Sequence, residues 1–178
     1  MAREQLKRTA LIGQLADHVL AHGLNGASLR PLAAAVGTSD RMLLYYFSDK
    51  AALIGAVLDE IATRMTALLE AAAPPAPLPR AALQTALMPL LRDPAVWPFM
   101  QVWLEMASLA ARGDPDCARV GQRIARGFVE WGAAQLDVPE AERAEEAVRL
   151  LMTIEGAVLL TSLGLGDEVA AAVETRRE

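Results

Sequence analysis

The sequence predicts an all-α protein of about nine helices, with a three-helix head at the N-terminus and a larger helical body behind it. Three observations carry this. Apolar residues recur at three-to-four spacing along most of the chain, and few runs look like strands. Alanine is abundant while aromatics make up only 4%, a composition that favours helices over sheets. Prolines and glycines fall mainly between the periodic stretches, where they punctuate helices. At 178 residues the chain could hold one or two domains, and 53% apolar content is enough for a real core.

Residues 3–22 read as the first helix, with Leu11, Ile12, Leu15, Ala16 and Val19 on one side. Arg3, Lys7 and Arg8 cluster near its start, where positive charge opposes the helix dipole. His18 reads as a partly buried core histidine. Gly23 and Gly26 bracket the next turn. The stretch Ser28 to Lys50 then organises the chain. Ser28 is a candidate N-cap, followed by a short stripe of Leu32, Ala33 and Val36. Gly37 can take the left-handed conformation that ends a helix. Thr38 or Ser39 can cap the next helix, which carries Arg41 to Phe47. Helix, glycine turn, helix is the helix-turn-helix layout, whose second helix enters the DNA major groove.

Asp49 can cap a fourth helix running to about Ala72, with an apolar stripe from Leu53 to Leu69 that persists for six turns. Residues 74–79, PPAPLP, cannot continue a helix and read as a linker or elbow. A fifth helix over 80–92 is expected to bend at Pro89. A sixth over 94–112 should start with Pro94 in its first turn. The seventh runs from Asp114-Pro115 to near Asp137, and Pro139 opens the eighth. Residues 150–160, LLMTIEGAVLL, are apolar nearly all round and must be covered on most sides. Gly164 and Gly166 end that helix, and a short ninth, about 167–176, follows. The domains expected are 1–48 for the head and 49–178 for the body.

Charge supports a division of labour. The chain carries a net −5, but residues 1–50 hold six Lys and Arg against four Asp and Glu, whereas residues 51–178 hold eleven against eighteen. The basic bias is therefore confined to the stretch with the helix-turn-helix layout. The single Cys117 excludes an intrachain disulfide and fits a reducing cytoplasm. The charged N-terminus does not read as a signal peptide, and no apolar run approaches a membrane span. No Walker, GxGxxG or GxSxG element occurs, so no enzyme is predicted and no cofactor is expected. His18 and His22 share one helix at i, i+4, but no convincing third ligand accompanies them, so no metal is expected.

Gly23, Ser28, Leu32-Ala33, Gly37, Ser39, Leu43, Tyr46-Phe47, Lys50 and Leu53 together resemble the N-terminal domain of tetracycline-repressor-like (TetR) family regulators, over roughly residues 5 to 60. The resemblance implies double-stranded DNA as partner. It places Arg30, Thr38, Asp40, Arg41, Met42 and Leu44 at or near base edges, where side chains must donate, accept or pack on thymine methyls. It puts Ser28, Ser39, Tyr45, Tyr46 and Lys50 toward the phosphates. The chain departs from the family at Arg41, usually glycine, at Leu44, usually tyrosine, and at Asp40, often basic or polar. The operator sequence therefore cannot be borrowed from relatives. Leu43 and Phe47 read as core of the head.

In this family, large residues of the body often line an inducer cavity. The candidates here are Trp97, Met100, Trp103, Met106, Phe128, Trp131 and Met152, with Glu155 as a polar anchor; the alternative for each is packed core. Glu105, also inside an apolar stretch, needs a partner: a ligand, an arginine such as Arg149, or solvent. The all-round apolar eighth helix suggests a homodimer through Leu150, Leu151, Ile154, Val158 and Leu159, and the family's habit of pairing its last helices points the same way. The expected function is a ligand-responsive transcriptional regulator, most often a repressor in this family, acting as a homodimer on a palindromic operator with an unidentified small-molecule effector and no membrane partner. The alternatives are a helical ligand-binding protein and a regulator controlled by a partner protein.

Overall fold

The computed structural model describes residues 2–174, and the expected last turn at 175–176 lies outside the described residues. Among the described residues nine α-helices follow one another: α1 (Ala2–His22), α2 (Leu29–Ala35), α3 (Asp40–Tyr46), α4 (Lys50–Ala71), α5 (Arg80–Leu87), α6 (Trp97–Ala111), α7 (Pro115–Ala134), α8 (Glu140–Ser162) and α9 (Gly166–Glu174). Two 3-10 segments, Leu24–Gly26 and Met88–Arg92, interrupt them. No β-strand occurs among the described residues, so the all-α expectation holds.

Local chemistry sets most boundaries. Gly37 takes φ 65° after α2, and Gly164 takes φ 89° after α8, the conformation glycine supplies without a Cβ penalty. The Ser39 hydroxyl accepts the Met42 N–H at 3.3 Å, and the Asp49 carboxylate accepts the Ala52 N–H at 2.7 Å. Pro89 does not merely bend the fifth helix: α5 stops at Leu87 and the chain tightens to 3-10 geometry.

Two expectations are corrected. Ser28 occupies the cap position of α2 in extended conformation, but its side chain makes no capping bond there. Pro94 does not open α6, which begins at Trp97. The Asp93 side chain instead accepts the Ala95 N–H at 2.8 Å and its carbonyl accepts from Val96 and Trp97, so a turn is completed before the helix starts.

The described chain forms two compact units, one of residues up to Ala67 with Gln101–Ile124, the other of Leu68–Met100 with the residues from Ala125 onward. In the first, α1 packs on α2 and α2 on α3. Leu15, Val19, Leu32, Leu43, Leu53 and Val57 are fully buried there. Arg64 bonds the Asp17 carboxylate at 2.5 Å and Glu60 at 2.8 Å, tying α4 to α1.

In the second unit, Leu83, Leu87, Leu136, Ala147 and Leu150 form a core flanked by Trp131 and Ile154. The proline-rich elbow is fastened to it: the Leu78 N–H donates to the Gln135 carbonyl, and the Asp137 N–H donates to the Leu78 carbonyl. Arg80 and Glu146 join α5 to α8 at 2.6 Å.

Candidate nucleic-acid interface

Burial of Leu43 and Phe47 fixes the phase of α3. With those two side chains inward, the rest of the helix must face out. Asp40, Arg41, Met42, Leu44 and Tyr45 are exposed and Tyr46 is half-buried. Ser28, Arg30, Ser39 and Lys50 are also exposed, and Thr38 is half-buried. The structure thus brings all eleven expected DNA-facing residues to accessible positions on a short stretch of helix ends and turns.

Among the described residues, Lys7, Arg8, Arg30, Arg41, Lys50, Arg112 and Arg126 form no ion pair, whereas Arg64, Arg80, Arg92, Arg119, Arg123, Arg143 and Arg149 are engaged with carboxylates. Of these, Arg30, Arg41 and Lys50 lie on or beside α3, and a polyanion laid on that face would meet them without first breaking an ion pair; the Lys50 charge also helps hold down the Asp114 carboxyl pKa. Lys50 is also the first residue of α4, where unpaired backbone N–H groups favour an anion.

Neighbouring groups from α1 adjust this face. The Arg8 guanidinium lies 4.8 Å from the Phe47 ring centroid, a cation–π contact that pins α1 to the end of α3. Tyr45 and Tyr46 meet edge to face at 5.2 Å. The nearby Glu4 carboxylate pushes the Tyr45 phenol pKa up. Arg8 was legible as part of a basic cluster; Glu4 was not singled out, and only the fold brings it to Tyr45. The Arg3 side chain lies outside the described residues.

Residues 15–57 match the family pattern of bacterial regulatory proteins of the TetR family. The chain carries a TetR-family DNA-binding head. Among solved structures, a transcriptional regulator from Rhodococcus sp. Rha1 is 24% identical with a TM-score of 0.72, over 94% of this chain and 92% of that one. A protein from Rhodococcus sp. assigned to the TetR-family transcriptional regulators is 18% identical with a TM-score of 0.70, over 98% of both chains. A protein from Saccharomonospora viridis assigned to the transcriptional regulators, solved in complex with choline, is 15% identical with a TM-score of 0.68, over 96% of this chain and 95% of that one. At these identities the likeness is one of fold, and it extends the TetR-like architecture over nearly the whole chain. No curated protein matches.

Behind the TetR-family head, the expected effector residues are distributed unevenly. Trp103 and Met106 belong to the first unit; Trp97, Met100, Phe128, Trp131, Met152 and Glu155 belong to the second. Met100 and Met106 are buried, and Trp97, Trp103, Phe128, Trp131 and Glu155 are half-buried. Met152 is 69% exposed and lies on the α8 surface. The Trp131 Nε1 is buried without a hydrogen-bond partner.

The expected dimer residues also divide. Leu150 and Val158 are buried in the chain's own interior, Leu151 and Ile154 are half-buried, and Leu159 is exposed. The exposed apolar stripe of α8 and its C-cap residue is Val148, Met152, Leu159, Leu160 and Leu163, so of the expected dimer residues it keeps Leu159.

His18 is half-buried and stacks on His22 with ring centroids 4.3 Å apart. Among the described residues, no group of three or more His, Cys, Asp or Glu could hold a metal ion, and no helix is long and apolar enough to cross a membrane. A cleft of about 320 Å³ in the first unit is lined by Leu24, Lys50, Ile54, Asp114 and Cys117, among others. The Cys117 backbone N–H holds the Asp114 carboxyl below the usual carboxylate range, and burial pushes the Cys117 thiol up.

Proposed function

We infer that this TetR-family transcriptional regulator is a ligand-responsive repressor that binds a near-palindromic operator as a homodimer. The observation that carries the DNA half is the accessible outward face of α3, with Arg30, Arg41 and Lys50 on or beside it and outside any ion pair. Arg41 suits a bidentate guanine contact, and Met42 and Leu44 suit thymine methyls. Tyr45, Tyr46, Ser28, Ser39 and Lys50 would fix register on the phosphates.

The dimer half rests on the α8 stripe. Met152 and Leu163, at 69% and 68% exposure, are too apolar and too nearly contiguous with Leu159 and Leu160 for an ordinary solvated surface. A two-fold pair would set two recognition helices about 34 Å apart, one turn of DNA. The effector half is supported by the unsatisfied Trp131 indole N–H in the second unit and by the choline held in one structural neighbour. The head would occupy residues 1–48 and the regulatory body 49–178, with ligand binding shifting the population of head spacings through α4.

The test is equilibrium binding to duplexes tiling the DNA that flanks the protein's own gene, at fixed salt, beside random duplex of equal length. The proposal expects at least one tile bound about 10³-fold more tightly than random DNA. Equal affinity for every tile and for random DNA would reject it.

A further inference from the structure

Glu105 sits midway along α6, half-buried, and its carboxylate leaves that helix to reach a backbone 81 residues away. Its Oε2 accepts the Leu24 N–H at 2.5 Å. Leu24 opens the 3-10 turn between α1 and α2, so the bond lands on the joint from which the helix-turn-helix departs.

Three features show that this contact is built into both partners. The Leu24 N–H stands at the start of a new helical turn, where no preceding carbonyl of that turn can accept it. Gly23 has φ 76°, and a Cβ there would lie 3.0 Å from the Glu105 carboxyl carbon, so glycine is needed both for the backbone and for the approach of the carboxylate. On α6 itself, Val102 and Met106 are buried, which fixes the register from which Glu105 projects. Beyond the bond, the Leu24 carbonyl accepts the N–H of buried Ala27 at 2.9 Å, and Ser28 then opens α2. Four residues separate the carboxylate from the first residue of the helix-turn-helix.

We propose that Glu105 is a positioning residue for DNA binding: through its bond to the Leu24 N–H, α6 sets where α2 and α3 stand, and any displacement of α6 is passed to them at this point. The inference rests on the DNA-binding reading. A charge-assisted bond to a backbone donor is about twice as strong as a neutral one and tolerates little misplacement, which suits it to hold one arrangement and release another. Glu105 touches no DNA; it acts on the joint.

Glu105→Ala removes the acceptor, and Glu105→Gln keeps a neutral one. Each variant and the wild type are measured against the preferred duplex selected by the wild type from a random pool, and against unselected duplex of the same length. Melting temperature and the exchange rate of the Leu24 amide proton are measured alongside. Glu105→Ala is expected to lose tenfold or more on the preferred duplex while staying within twofold on unselected DNA and melting within a few degrees of wild type. Glu105→Gln should recover most of that loss, and Leu24 amide exchange should speed up in the Ala variant alone. Wild-type affinity of the Ala variant for the preferred duplex would overturn the proposal. So would a Gln variant no better than Ala, or equal losses on both duplexes with a fallen melting temperature, which would make Glu105 a structural residue only. If the wild type selects no duplex at all, the DNA-binding reading fails first and this proposal with it.

Discussion

The Glu4 carboxylate, in the first turn of α1, stands close enough to the Tyr45 hydroxyl on α3 to push the phenol pKa up. A side chain suited to a phosphate oxygen therefore has a carboxylate for a neighbour, and that negative charge repels a phosphate. Glu4→Gln should tighten binding to any duplex several-fold at low salt, with little change in sequence preference, because the contact concerns backbone and not base edges. Salt titrations of wild type and variant on random duplex check this. Unchanged affinity would show that Tyr45 and Glu4 stand clear of the DNA.

Arg41 and Lys50 should separate readout from attraction. Arg41→Ala is expected to cost about 1–3 kcal/mol on the specific site, the scale of a lost bidentate base contact, and to relax preference at one position. Lys50→Ala should weaken all sequences alike and lower the salt slope by about one unit. Parallel titrations on the specific and a scrambled duplex distinguish the two.

Met42 and Leu43 are adjacent in sequence and opposite in environment. Leu43 is fully buried in the head and Met42 is 42% exposed. Leu43→Ala should cost about 2–5 kcal/mol of stability through lost burial and the cavity left behind. Met42→Ala should stay within about 0.5 kcal/mol in stability and change DNA preference alone. Chemical denaturation measures the first and duplex selection the second.

His18 is held below its ordinary pKa, first by burial and then by the neighbouring His22. The folded state thus favours neutral His18, and the unfolded chain takes up its proton at higher pH. This contribution to stability is complete above about pH 6.5 and is lost as pH falls below it. Melting temperature measured from pH 7.5 to 5 should decline toward acid, and His18→Leu should flatten that decline.

The two sides of α8 should respond oppositely to charge. Val158 is fully buried, so Val158→Asp is expected to unfold the second unit. Leu159→Glu combined with Leu163→Glu alters only the exposed stripe and should yield folded monomers that lose affinity for the full operator. Sedimentation at micromolar concentration, with circular dichroism as a folding control, reads both.

What the sequence made legible was what local chemistry decides. Gly37, Ser39 and Asp49 each announce a helix boundary because their backbone freedom or side-chain oxygens act within three residues. The accessible face of α3 followed from Leu43 and Phe47, whose apolar phase is unambiguous. The phase of α8 was not legible: residues 150–160 are apolar nearly all round, so periodicity offered no inward side. Packing decided it, by seating Leu150 with Leu83, Leu87 and Leu136. Glu105 announced that it needed a partner, but the partner is a backbone N–H 81 residues away, and Arg149, the arginine it might have paired with, is taken by Glu145 and Glu146. Gly23 carried a hint of that contact, which only the fold makes readable.

The central claim is that two copies of this head read one face of a duplex. Hydroxyl-radical footprinting on the best-bound tile of flanking DNA tests it most directly. The account predicts two protected patches on one face of the duplex, related by a two-fold axis, with centres one helical turn or a whole multiple of it apart. Both should vanish with Arg41→Ala at the same protein concentration. A single patch, or protection spread evenly along the fragment and unchanged by Arg41→Ala, would contradict it.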